Sequence, residues 1–138
     1  MRNFLKSVID LFNFLKIKSD ERKIVFYAEN ENSYLVFAGI IDFLTKEFNQ
    51  VIYYISSSIK DPILENKNSN IRSFFIGSGT IRTIFFQLFN SQIMVLTMPE
   101  INKSYIKKHK GVSIWSGICS SGLVRGVYNV VFPRKVVW

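Results

Sequence analysis

Lys23-Ile-Val-Phe-Tyr-Ala28 is a compact apolar run of β-branched and aromatic side chains, and Val51-Ile-Tyr-Tyr-Ile55 repeats its character further along. Neither alternates polar with apolar as a strand with one wet face does, so each reads as a strand buried on both faces. Between them, Glu29-Asn30-Glu31-Asn32-Ser33 is a polar turn. Tyr34, Phe37, Ala38, Ile41, Leu44 and Phe48 then recur at helical spacing, which predicts a helix over Ser33 to Asn49 with Ser33 as its N-cap. After the second run, Ser56 to Pro62 is a polar loop, and Asp61-Pro62 signals a turn and helix start because proline presets φ and aspartate can cap. Ile63 to Asn70 reads as a short helical piece and turn. Ile71-Arg-Ser-Phe-Phe-Ile76 is a third strand, Ile81, Ile84, Phe85, Leu88 and Phe89 mark a short buried helix, and Gln92-Ile-Met-Val-Leu-Thr97 is a fourth strand.

This alternation predicts an α/β fold of Rossmann-like type, a mainly parallel sheet with flanking helices. Ligands of such sheets bind at the carboxyl ends of the strands. Here those ends are Glu29, Ser56 to Ser58 with Ser57 at the centre, Gly77 to Thr80, and Thr97 to Glu100. Gly77-Ser78-Gly79-Thr80 offers backbone N–H groups ahead of a helix, as phosphate sites do. It lacks the third glycine of a dinucleotide fingerprint and the lysine of a P-loop, so a simple turn is the competing reading. Glu29 is either a hydroxyl contact or base, or a solvated turn carboxylate.

The segment before the first strand, Arg2 to Lys18, gathers Asn3, Lys6, Ser7, Asp10, Asn13 and Lys16 on one helical face, with Leu5, Val8, Ile9, Phe12 and Leu15 opposite. An amphipathic helix of this kind, with Arg2, Lys6, Phe12 and Lys16 as its membrane contacts, suits an anionic lipid interface. Docking on the rest of the domain or on another subunit is the alternative. No apolar run is long enough to span a bilayer.

The 138 residues have room for about one domain. A hydrophobic content of 48% excludes a disordered tail and suffices for one core. The formal charge of +8 is uneven. Residues 1–100 carry eleven Lys and Arg against ten Asp and Glu, whereas residues 101–138 add seven basic residues and no acid. The single cysteine, Cys119, excludes an internal disulfide, and no signal peptide opens the chain, so a cytoplasmic setting is expected. His109 stands among Lys107, Lys108 and Lys110 with no carboxylate partner in sequence, which favours an exposed structural role. Without a Cys/His cluster, no metal site is expected, and no cofactor either.

Several pieces taken in order resemble one family. They are Ile24-Val-Phe-Tyr-Ala-Glu29-Asn30, Val51-Ile-Tyr-Tyr-Ile-Ser-Ser57, Asp61-Pro62, Ile71-Arg-Ser-Phe-Phe-Ile-Gly77, Met94-Val-Leu-Thr-Met-Pro-Glu100 and Tyr105-Ile-Lys-Lys108. Over about residues 23–110 the chain resembles the CDP-glycerol glycerophosphotransferase family, and its most distinctive part is Thr97-Met98-Pro99-Glu100 followed by Lys107 and Lys108. The resemblance implies the N-terminal, acceptor-side half of a two-domain GT-B enzyme. Such enzymes move glycerol phosphate from CDP-glycerol to a teichoic-acid-like polymer or surface polysaccharide. Their acceptor is a lipid-linked glycan or polyol phosphate, so they work as peripheral proteins at the inner face of the cell membrane. On this resemblance Glu29, Ser57, Gly77, Thr97, Met98, Pro99 and Glu100 belong to an acceptor-side cleft, and Lys107 and Lys108 lie near phosphate. CDP-glycerol itself would be held only by a full-length relative, because the donor-binding half and its general-base histidine have no counterpart here. Acting alone, this half is expected to be inactive.

Sequence character divides the chain into an amphipathic helix over 1–19, a Rossmann-like domain over 20–110 and a divergent tail over 111–138. The tail holds seven Val and two Ile, where residues 1–110 hold five and sixteen, and it carries both tryptophans. It reads either as the product of a frameshift or insertion junction, or as native Val-rich β-structure. A second functional class also fits the basic tail: a small binding module for a membrane surface or nucleic acid. Nucleic acid is the weaker partner, since Tyr105, Trp115 and Tyr128 are only loosely interleaved with the basic groups.

Overall fold

The computed structural model describes residues 1–88, Ser91 and 93–96, together with the backbone of strands at 112–115 and 129–130. The first apolar run forms β1 (Ile24–Ala28), and its position organises the rest. It is hydrogen-bonded in parallel on one side to β2 (Ile52–Ser56) and on the other to β4 (Ile93–Leu96), with Tyr27 opposite Ile55 and Leu96. β3 (Ile71–Phe75) extends the sheet beyond β2, and β5 (Val112–Trp115) and β6 (Asn129–Val130) extend it beyond β4. The order is β3-β2-β1-β4-β5-β6, parallel except for the antiparallel β6. This is the predicted α/β, Rossmann-like arrangement. The sheet continues past residue 111, where the sequence changes character.

Strand side chains alternate between two covered faces. Val25 and Tyr27, Tyr53 and Ile55, and Met94 and Leu96 face one helical layer, formed by α1 (Arg2–Lys16) and α3 (Thr80–Leu88). Phe26 and Ala28, Ile52 and Tyr54, and Val95 face the other, which consists of α2 (Ser33–Asp42) and a 3-10 turn at Pro62–Glu65. Coverage of both faces is what the two uninterrupted apolar runs require.

α2 begins with Asn32 as its N-cap residue, and Ser33 lies inside the first turn with its Oγ 3.3 Å from Asn30 Oδ1. Beyond Asp42 the helix widens into a π turn over Phe43–Glu47. Thr45 Oγ1 donates to the Ile41 carbonyl at 2.7 Å there, and the chain leaves through Asn49 at φ 49°.

α1 is rotated from its expected seating. Ser7, assigned to the polar face, is buried together with Leu11 and Phe14, while Leu5, Ile9 and Phe12 face outward. Local chemistry accounts for the difference. Ser7 Oγ satisfies itself by donating to the Asn3 carbonyl at 2.8 Å. It sits over Gly77, where a Cβ would approach within 3.1 Å of that oxygen. Asp10 accepts from the Phe75 N–H at 2.9 Å, pairing a donor on the outer edge of β3 that no strand covers. Phe14 then enters the core edge-on to Tyr53 and Phe74 and tilted against Phe85, with ring centroids 5.4–6.3 Å away. The Arg22 guanidinium lies over its other side at 5.1 Å.

This seating makes two neighbouring phenylalanines of one helix energetically unlike. Phe14→Ala empties a filled aromatic site and is expected to cost about 3–4 kcal/mol in urea unfolding. Phe12→Ala should change stability by no more than about 0.5 kcal/mol.

Candidate functional site

After β1 the chain proceeds outward to β2 and β3, and α3 then carries it back to β4 on the other side of β1. The direction of winding therefore reverses between β1 and β4, and the crevice beyond the carboxyl end of β1 is where an open α/β sheet receives ligands. Glu29 is the first residue past that end. Its carboxylate is half exposed and lies 3.8 Å from the Arg82 guanidinium, which projects from the first turn of α3. Tyr27, one layer below, shares a 2.8 Å hydrogen bond with the Ser57 hydroxyl just past β2. Burial pushes the Tyr27 phenol above its ordinary range, opposed by Ser57 and Arg82 and reinforced by Glu29. Ser58 donates to Glu31 at 2.8 Å on the outer rim.

The turn before α3 lies at the same end of the sheet, just past β3, and its two glycines differ. Both take positive φ, 64° at Gly77 and 81° at Gly79, a region that disfavours any residue with a Cβ. Gly77 is buried beneath Ser7, so it serves the close approach of α1 instead of lining an open cleft. Gly79 has open space where its Cβ would be, and Gly79 and Thr80 are exposed just ahead of Arg82 in the first turn of α3.

Glu29 and Ser57 are thus brought to one edge of the sheet, joined there by Arg82 and Tyr27. Arg82 escaped the sequence reading because only the β3–α3–β4 crossover sets it against Glu29. The expected cleft residues Thr97, Met98, Pro99 and Glu100, the phosphate contacts Lys107 and Lys108, and His109 and Cys119 lie outside the described residues. Arg2, Lys6, Phe12 and Lys16 are all exposed on α1, and Lys6 lies 5.9 Å over the ring of Phe75 at the end of β3. Among the described residues, no group of three or more His, Cys, Asp or Glu gathers to hold a metal.

The chain matches no family model, no curated protein and no solved structure. Arg82 offers a planar set of N–H donors suited to phosphate oxygens, and Glu29 offers an acceptor for hydroxyl groups. The pair is itself weak, because 3.8 Å between partly exposed charges contributes little to stability, so each group is available to a ligand at small cost.

A second polar cluster belongs to the scaffold. Asp61 is 2% exposed; its Oδ2 accepts from Ser56 at 2.8 Å and Tyr54 at 3.1 Å, and its Oδ1 caps the 3-10 turn through the Ile63 N–H. The helix-start reading of Asp61-Pro62 holds, and the network locks the loop that carries Ser57 and Ser58. Burial raises the Asp61 carboxyl above the usual aspartate range despite its three donors. The native state therefore holds the proton more tightly than the unfolded chain. Stability from this group is fully present below an ordinary aspartate value of about 4 and falls as pH rises through the native value.

Two measurements follow. Asp61→Ala leaves two buried hydroxyls and a backbone N–H without their acceptor and should cost about 2–3 kcal/mol in urea unfolding. Asp61→Asn should lose less stability near neutral pH and remove the descending part of the stability–pH curve just above pH ~4. An unchanged slope would assign that titration to other carboxylates.

Proposed function

We propose that this chain is the acceptor-side domain of a glycerol-phosphate-transferring enzyme of cell-surface polymer synthesis. Its acceptor is a lipid-linked glycan or polyol phosphate, taken at the inner face of the cell membrane. The observation that carries this reading is the strand reversal, where the Glu29 carboxylate meets the Arg82 guanidinium at the end of β1 and the Ser57 hydroxyl is held by Tyr27 just past β2. A polyol phosphate alternates hydroxyl groups with phosphodiesters. Glu29 answers the first and Arg82 the second. The resemblance of residues 23–110 to glycerophosphotransferases supports the same assignment.

In the transfer, an acceptor hydroxyl oxygen bonds to the phosphorus carrying glycerol, the phosphoanhydride of CDP-glycerol breaks, and CMP leaves. The hydroxyl proton passes to a base. Such a reaction depends on holding donor and acceptor in line. The residues on this crevice bind and orient the acceptor, and the donor is held by the second domain of a full-length relative. A domain of this kind has binding, not turnover, as its measurable property. Among the described residues no helix is long and apolar enough to cross a membrane, which is compatible with peripheral attachment.

The test is an amide NMR titration of the chain with short glycerol phosphate oligomers. Shifts are expected at Glu29, Ser57, Gly79 and Arg82, and Arg82→Ala should weaken binding by about tenfold, the loss of one charge-assisted contact. Shifts absent from these residues would overturn the reading. Steeply salt-dependent oligonucleotide binding centred on Lys103 to Lys110 would replace it with the basic binding module.

A further inference from the structure

α1 uses only one side to dock. Ser7, Leu11 and Phe14 are buried against the sheet, yet Leu5 is 56% exposed, Ile9 58% and Phe12 60%. These three are spaced four and three residues apart, so they form one stripe along the outer side of the helix. Phe4 is 60% exposed at the same end. A monomeric protein gains nothing by leaving such a stripe in water, and the docked side shows that α1 has no freedom to turn it inward.

The charges around the stripe identify its occupant. Arg2, Lys6 and Lys16 of the helix and Lys18 just beyond it are all exposed and none forms an ion pair among the described residues; Lys6 lies 5.9 Å over the Phe75 ring, and Asp20 and Glu21 follow Lys18. The one acidic residue of the helix, Asp10, is turned away to accept from the Phe75 N–H. The charged side chains exposed on the helix itself, Arg2, Lys6 and Lys16, are therefore all cationic, with the amide of Asn13 beside them. A second copy of α1 would bring these cations against their like. A bilayer with anionic headgroups takes the apolar stripe into its acyl boundary and the cations onto its phosphates.

We propose that α1 binds anionic lipid while still docked on the sheet, inserting Leu5, Ile9 and Phe12 and leaving Phe14 in the core. This deepens the membrane part of the proposed function and rests on it only for its biological setting. The experiment uses vesicles that contain no acceptor, so its result is independent of the crevice.

The full chain is floated with equimolar phosphatidylglycerol–phosphatidylcholine vesicles and with phosphatidylcholine alone. Binding is expected to the anionic vesicles only and to weaken with salt. Replacing Leu5, Ile9 and Phe12 together by serine should reduce the partition coefficient by about tenfold or more, because these side chains leave water on insertion. Arg2→Glu with Lys16→Glu should reduce it at low salt. A Phe12→Trp variant gives a second readout: its added fluorescence should be quenched by brominated lipid, whereas a Phe14→Trp variant that remains folded should not be. Absence of binding to anionic vesicles, equal binding by the triple serine variant, or equal quenching at both positions would overturn the proposal. So would a concentration-dependent dimer in sedimentation velocity that the serine substitutions abolish.

Discussion

Everything in this structure depends on β1 having no free surface. Val25, Phe26, Tyr27 and Ala28 are fully buried, and the strand is paired in parallel on both edges. A strand in that position satisfies its backbone only through β2 and β4, and its side chains only through a helical layer on each face. The order of the sheet follows, because α3 must return the chain across β1 to reach β4. The reversal of winding places a crevice at Glu29 for the same reason.

The two helical layers then divide the work. α2 and the turn capped by Asp61 close one face and hold the loop after β2. α1 and α3 close the other, meeting through Phe14 and Phe85. α3 also brings Arg82 to Glu29, so a single helix links core packing to the chemistry at the strand ends. α1 has a different double role. Its inner side completes the core through Leu11 and Phe14, and its outer side exposes Leu5, Ile9 and Phe12 together with Arg2, Lys6 and Lys16.

The strands and their order of occurrence were legible because a doubly buried strand is written as an unbroken apolar run, and three such runs stand clear between polar turns. Asp61-Pro62 was legible for a local reason, since capping needs only neighbours in sequence. Features created by contact between distant segments were not. Periodicity locates the apolar side of α1 but cannot show that Ser7 satisfies its own hydroxyl and that Gly77 leaves room for it. As a result, part of the polar side faces inward and much of the apolar side faces out. Periodicity is equally blind to the π turn after Asp42 and to the approach of Arg82 to Glu29. Glu29 and Ser57 were found because strand ends can be read from sequence; their partner was not, because it arrives from another layer.

The claim on which the rest stands is that β1 lies inside the sheet, paired on both edges, and native-state hydrogen exchange of the intact chain tests it most directly. The amides of Val25 to Ala28 should exchange only through global unfolding, with a denaturant dependence equal to that of the whole protein. Those of the edge strand β3 should open at lower free energy. If the amides of β1 exchanged as readily as those of β3, the central position of β1 would be contradicted, and with it the crevice at its end.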